Sequence, residues 1–252
     1  MSLSGVLVDR VTRADASALL ARFVRDGGRH QVVTVNTDFV RLADRDPGYR
    51  EILNRADLAV ADGMPLVWLS HLGKAGLPER VAGVDLVDIC CELSTSYGIP
   101  LFLLGAAPGV AARAGRALAS RHPGLRIAGT FAPKFGPATA EGDREMVAVV
   151  RRAGRCILFV AFGAPRQDRF ISANLGEIDA AIAMGVGGTF DILAGAIPRA
   201  PEWMQRMGLE WSWRLAQEPS RLWRRYLVED VPFLVRLGAR GLRGGIVAVE
   251  AR

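Results

Sequence analysis

Five short stretches carry residues whose chemistry can be read directly. In the first, the apolar run Leu58-Ala59-Val60-Ala61 delivers a lone carboxylate, Asp62, onto Gly63 and Pro65. A carboxylate fixed in a cleft at a strand end can act as a general base. The competing role is helix capping, because Pro65 suits the first turn of a helix. A capping acid accepts backbone amides and loses basicity, so the two roles oppose each other. The second stretch, Thr34-Val35-Asn36-Thr37-Asp38, ends another apolar run in short hydrogen-bonding groups suited to sugar hydroxyls or an amide. There Thr37 or Asp38 is expected to cap the following helix, and Asn36 is left for a ligand.

The third, Leu103 to Gly109, is a strand followed by a small-residue turn at Gly105 and a helix start. Such a turn lets a backbone approach a nucleotide, with the helix N-terminus favouring phosphate, although many turns of this kind serve packing alone. In the fourth, Gly163 ends a strand and Gln167 falls in the first turn of the next helix. The fifth places Gly185, Gly187 and Gly188 before Asp191. Those glycines make room for a close ligand or for tight packing, and the acid follows on the first helical turn.

These residues need strands to hold them. Apolar runs at 32–36, 56–62, 100–105, 125–130, 156–163 and 180–188 predict strands. Between them, 38–54, 64–73, 84–97, 109–121, 140–153 and 165–175 predict helices. Strands apolar throughout and alternating with helices imply an α/β fold whose mainly parallel sheet is covered on both faces. In open sheets of that kind, ligands bind beyond the carboxyl ends of the strands, where the five stretches lie. The texture changes near Ile197. Ten Arg against six acids and four of the five Trp lie from Arg199 onward, so the basic excess is concentrated there. A core over 1–197 and a helical, Trp/Arg-rich appendage over 198–252 are expected. If 209–227 is helical, Arg214, Arg221 and Arg225 share one face, which suits an anionic membrane surface or a solvated flank.

Composition bounds the function. With 252 residues, half of them hydrophobic, the chain can bury one sizeable core. Net charge is +6, and the cations are nearly all Arg, whose planar fork suits phosphate. Cys90, Cys91 and Cys156 are too few and wrongly spaced for a disulfide framework or zinc site, and buried thiols in a reducing compartment are expected. No metal-ligand constellation appears: the Asp44-x-Asp46 string lies in a helical stretch, and the three His are scattered. No run is long and apolar enough to span a membrane, and Asp9, Arg10 and Arg13 interrupt any leader. A dinucleotide-dependent oxidoreductase lacks its glycine fingerprint here, and a nucleic-acid-binding module has charge but no motif.

Together the stretches 34–40, 56–68, 79–86, 101–111, 159–168, 184–201 and 208–227 resemble, in order, the WecG/TagA/CpsF glycosyltransferases, glycosyltransferase family 26. The resemblance covers roughly residues 30 to 230. It implies a compact two-part α/β core of the GT-E kind with a C-terminal appendage. The implied activity is inverting, metal-independent transfer of a sugar from a UDP-sugar to a polyprenyl-diphosphate-linked sugar acceptor. The donor sugar would be of the N-acetylmannosamine type, or glucose or a uronic acid, and the product a bacterial cell-surface polysaccharide or teichoic acid. No cofactor, metal or nucleic acid is implied. The protein is expected in the cytoplasm, peripherally on the inner face of the plasma membrane, and a homo-oligomer is compatible with the family. A non-catalytic nucleotide-sugar-binding protein and a basic nucleic-acid-binding protein are the alternatives.

Carried over residue by residue, the resemblance makes Asp62 the catalytic base and puts Thr34 and Asn36 at the sugar. Arg80, Gln167, Gly185, Gly187, Gly188 and Asp191 would line the nucleotide-sugar pocket, with the Gly105 turn beside the nucleotide. Arg214, Arg221 and Arg224 would complete the site and hold the diphosphate. The chain departs from the family at 35–37, where many members carry proline beside the asparagine.

Overall fold

The computed structural model describes residues 1–72, 76–133, 136 and 139–242. The last ten residues of the expected appendage, and residue 73 of the expected helix 64–73, lie outside the described residues. A short antiparallel hairpin, β1 (Ser2–Leu3) and β2 (Val6–Leu7), opens the chain. Helix α1 (Arg13–Arg25) follows, a helix the periodicity reading does not include. Its start is fixed by a reciprocal capping box between Thr12 and Asp15.

The remaining strands are β3 (His30–Val35), β4 (Leu58–Ala61), β5 (Leu101–Gly105), β6 (Ile127–Phe131), β7 (Cys156–Ala161) and β8 (Ala180–Gly185). All pair in parallel in one sheet of order β4-β3-β8-β7-β5-β6. The helices among them are α2 (Thr37–Arg45), α3 (Pro47–Arg55), α4 (Met64–Ser70), α5 (Gly83–Tyr97), α6 (Val110–Arg121), α7 (Ala140–Arg152), α8 (Arg166–Asn174) and α9 (Thr189–Leu193). The stretch expected as one helix over 38–54 is therefore two. Asp46 takes an extended conformation, its side chain accepts from the Tyr49 N–H, and Pro47 starts the second helix.

Both faces of the sheet are buried along β3, β4, β5, β7 and β8, which explains why those strands do not alternate, whereas the edge strand β6 alternates between half-buried and exposed residues. Val32, Leu58, Val60, Leu103, Phe159 and Met184 pack on one side with α1, α5, α6 and α9. On the other side, Val33, Val35, Ala59 and Ala61 meet α2, α3 and α4, while Leu104, Leu158 and Val160 meet α7 and α8. A fully buried aliphatic side chain of this kind contributes about 1.5–3 kcal/mol. The thiols of Cys90, Cys91 and Cys156 are free and buried, and burial drives all three well above the ordinary thiol range.

Beyond α9 the described chain is helical only: α10 (Glu202–Arg206), α11 (Glu210–Gln217), α12 (Pro219–Trp223), a π-helical turn over Arg224–Asp230, and α13 (Val231–Leu242). Helix α13 returns to the core, where Phe233 and Leu237 bury against the cluster that holds Leu66 and Val67 of α4.

Candidate active site

The first and last strands of the sheet, β3 and β8, are neighbours. The carboxyl ends of β3, β4, β7 and β8, roofed by the appendage, enclose a cavity of about 790 Å³. Such a junction is where open parallel sheets hold ligands.

Asp62 lies in this cavity. Its main chain continues β4, with the Asp62 N–H donating to the Val35 carbonyl at 2.7 Å. The capping alternative is removed, because Gly63 is the N-cap of α4 and no side chain caps that helix. The Asp62 carboxylate instead accepts the backbone N–H of Gly83, the first residue of α5. The loop before α5 is tied to β4 by the Val81 N–H on the Ala61 carbonyl at 2.9 Å, which brings Arg80 beside the acid. Arg80 is itself paired with Glu210 of α11 at 2.8 Å. Burial pushes the Asp62 carboxyl up to about 6. The Arg80 charge opposes that rise, the Glu210 charge supports it, and the Gly83 N–H and Arg214 oppose it more weakly. The outcome is a carboxylate more basic than usual yet ionised at neutral pH, as a general base requires.

Thr34 and Asn36 also line the cavity. Asn36, rather than Thr37 or Asp38, caps α2: its Oδ1 accepts from the N–H groups of Asp38 at 3.0 Å and Phe39 at 3.3 Å. That leaves its side-chain NH2 as the donor group. Gln167 is buried, and its Oε1 accepts from the N–H of Gly163 at 3.1 Å and of Gly187 at 3.0 Å. It therefore braces the turns that follow β7 and β8. Gly185 provides the space for this brace, since a Cβ there would lie 2.5 Å from Gln167 Nε2. Gly185 thus supports the site from behind and does not line the cavity, whereas Gly187 and Gly188 do line it.

Three further expected residues lie off the cavity lining. Gly105 ends β5, away from the four strands that open the cavity. Its φ of +107° and the Ala161 carbonyl, 2.7 Å from where a Cβ would sit, account for the glycine by packing alone. Asp191 lies on α9 behind the glycines, and its carbonyl receives the N–H groups of Ala196 and Ile197. Arg224 is 76 % exposed, with only a loose approach to Glu229 at 4.0 Å.

The appendage contributes Arg214, Arg221 and Arg225 to the lining. Its helix is interrupted between Gln217 and Pro219, yet the three arginines keep one face, and that face turns into the cavity. Arg225 takes the inward place that the resemblance gives to Arg224. It pairs with Asp38 at 3.0 Å, and Arg41 joins Asp38, Asp230 at 3.0 Å and Glu229 at 3.0 Å. Asp38, Arg41 and Asp230 are each less than 9 % exposed. This buried cluster fixes the rotation of the π-helical turn and sends Arg224 outward. Burial, then the Asp38 charge, raises the Asp230 carboxyl to about 6.

Sequence reasoning missed Glu210, Asp38 and Asp230 as parts of the site. Glu210 had one readable signal: an acid four residues before Arg214 in an otherwise basic segment. Pairings with residues 130 or more positions away, such as Arg80 with Glu210 and Arg41 with Asp230, leave none. Among the described residues no group of three or more His, Cys, Asp or Glu side chains is placed to hold a metal ion. Nor is any described helix long and apolar enough to cross a membrane.

Comparison with known proteins agrees with this arrangement. The model of the glycosyl transferase WecG/TagA/CpsF family matches residues 1–245. A Staphylococcus aureus (strain MW2) protein named N-acetylglucosaminyldiphosphoundecaprenol N-acetyl-beta-D-mannosaminyltransferase is 32% identical over 212 residues, 84% of this chain and 80% of the relative. A Bacillus subtilis (strain 168) protein of the same name is 32% identical over 197 residues, 78% of this chain and 74% of the relative. With a strand-end carboxylate, an arginine-lined cavity and a family match over nearly its whole length, the chain belongs to the WecG/TagA/CpsF family of glycosyltransferases.

Proposed function

We propose that the protein transfers a sugar from a UDP-sugar to a sugar linked through a diphosphate to a polyprenyl lipid, with inversion and without a metal ion. An N-acetylmannosamine-type donor is favoured by its relatives, which are named N-acetylglucosaminyldiphosphoundecaprenol N-acetyl-beta-D-mannosaminyltransferases. The observation that carries this reading is Asp62, raised in basicity and set in one cavity with Arg80, Arg214, Arg221 and Arg225.

In the proposed step, Asp62 accepts the proton of the acceptor hydroxyl as that oxygen attacks the anomeric carbon. The bond from this carbon to the diphosphate oxygen breaks, and UDP leaves with the electron pair. A single carboxylate is enough, because the diphosphate leaves as an anion and needs no enzyme acid. The transition state has oxocarbenium character, as in glycoside hydrolysis. Charge grows on the departing diphosphate, and guanidinium groups held in a low-dielectric cavity are suited to stabilise it. Thr34 and the Asn36 amide, which line the cavity, are assigned to the sugar hydroxyls in this reading, and the braced Gly187–Gly188 turn to the nucleotide sugar.

Peripheral membrane attachment at the cytoplasmic face is part of the proposal. It is supported by the exposed apolar side chains Trp203, Met207, Trp223, Leu227 and Val228 on the appendage, with Arg224 among them. The decisive experiment offers a panel of UDP-sugars with a lipid-diphosphate-linked N-acetylglucosamine acceptor, with and without EDTA, to the native protein and to Asp62→Asn. Transfer that survives EDTA and falls by about 10²–10⁴ in the variant is expected. Full turnover in Asp62→Asn would refute the base assignment, and loss of activity with EDTA the metal-free reading.

A further inference from the structure

The cavity changes character along its length. Its inner end, at Asp62, Thr34 and Gln167, is polar. Its outer end runs between α4 and α13 and is apolar. Met64, Trp68 and Leu72, four residues apart, form one wall, and Val231 and Leu234 of α13 form the other. Neither α4 (Met64–Ser70) nor the first five residues of α13 carry a charged side chain. Trp68, Leu72 and Val231 line the cavity and are still 49 %, 48 % and 43 % exposed, so this limb opens to the surface. Val235, one helical turn beyond Val231, is 67 % exposed. Farther along α13, Gly238 packs closely on Leu69, whose Cδ2 lies 3.5 Å from the position of a Cβ. Its walls are rigidly held, because Phe233 and Leu237 anchor α13 in the core. Arg221, Arg225 and Tyr226 line the same cavity, with Arg225 paired to Asp38 at 3.0 Å and Arg221 to Glu218 at 2.6 Å.

A ligand that fills such a cavity is apolar at one end and polar at the other. The exposed apolar walls are continuous with the arginines, so a separate partner protein would not explain why the limb joins the catalytic cavity. We infer that the limb between α4 and α13 holds the first isoprene units of the acceptor's polyprenyl chain. The inference deepens the proposed transfer to a lipid-diphosphate acceptor and rests on that reading. It assigns the limb a role in acceptor specificity: an isoprenoid tail adds contacts with the enzyme itself, apart from any bilayer.

The test uses the full chain in buffer without membrane or micelles. Two acceptors share an N-acetylglucosamine-diphosphate head; one carries a two-carbon chain and the other four isoprene units. The native protein is expected to show a KM at least about tenfold lower for the isoprenoid acceptor, since burying even a few methylenes is sufficient for that. In Leu72→Asn and Val231→Asn, both at exposed positions, the ratio of the two KM values should fall toward one. The rate on the two-carbon acceptor serves as the internal reference for folding. Equal KM values in the native protein, or a preference untouched by both variants, overturn the inference while transfer itself stands. Variants that change the mass in light scattering and leave the preference intact assign the limb to a second copy, and also overturn it. Failure to use either acceptor overturns the proposed function along with it.

Discussion

If Asp62 is the base, the rate must track its ionisation, and the cavity fixes where that happens. The carboxyl lies up at about 6, so kcat/KM for transfer should be half its plateau near pH 6 and fall about tenfold for each pH unit below that. Glu210 supports this position by pairing with Arg80 at 2.8 Å, which offsets a cation that would otherwise hold the acid down. Glu210→Gln removes that offset and leaves the Arg80 charge to act on Asp62. The acid limb should therefore move to lower pH, and the fraction of activity kept at pH 5 relative to pH 7.5 should rise. The plateau rate should drop, because a less basic carboxylate is a weaker proton acceptor. Glu210→Asp should restore part of both effects. The assay is initial-rate transfer at saturating donor from pH 4.5 to 8.5, with circular dichroism at each pH to confirm folding. An acid limb unmoved in Glu210→Gln, or moved upward, would refute the electrostatic coupling between the appendage and Asp62.

Two predictions concern the frame around the site. Asp168 is fully buried; its Oδ2 accepts from the Tyr49 hydroxyl at 2.8 Å, its Oδ1 has no partner, and burial raises its carboxyl to about 7. Because the folded value lies above the unfolded one, this group's contribution is fully present below about pH 4 and is lost as pH rises through about 7, by about 4 kcal/mol in all. Asp168→Asn should flatten that part of the profile and raise the melting temperature at pH 8; no gain at pH 8 would count against an ionisation penalty there. Arg41→Met strips the cation from between the buried Asp38 and Asp230 and should cost about 3–5 kcal/mol. It should also raise hydrogen exchange over 219–230 before the sheet is affected, and uniform protection across the chain would show that the cluster does not hold the appendage.

The six parallel strands and the location of a site at their carboxyl ends were legible because they rest on local signals. Apolar runs such as 58–61 and 156–161 name a doubly covered strand, and the chain must place a Gly or a polar group where each one ends. Asp62, Thr34, Asn36, Gln167, Gly187 and Gly188 were found in this way, and all line the cavity. The same local reading could not separate glycines that face a ligand from those that face the protein. Gly105 and Gly185 look alike in sequence to Gly187 and Gly188, and only the neighbouring Ala161 carbonyl and Gln167 side chain distinguish them. Helical spacing did group Arg225 with Arg214 and Arg221, where the resemblance named Arg224, but it assigned that face to a membrane surface or a solvated flank and not to the cavity. Arg225 points inward and Arg224 outward because Asp38 and Asp230, far apart in the chain, meet under the π-helical turn. Backbone propensity and hydrophobic period act over a few residues, so the sequence by itself determined the six strands and the acid at the strand end, and not the order of the strands in the sheet. Charge pairing across more than a hundred residues depends on how elements pack, and so the tertiary structure alone decided that the arginine face turns into the cavity and how basic Asp62 becomes.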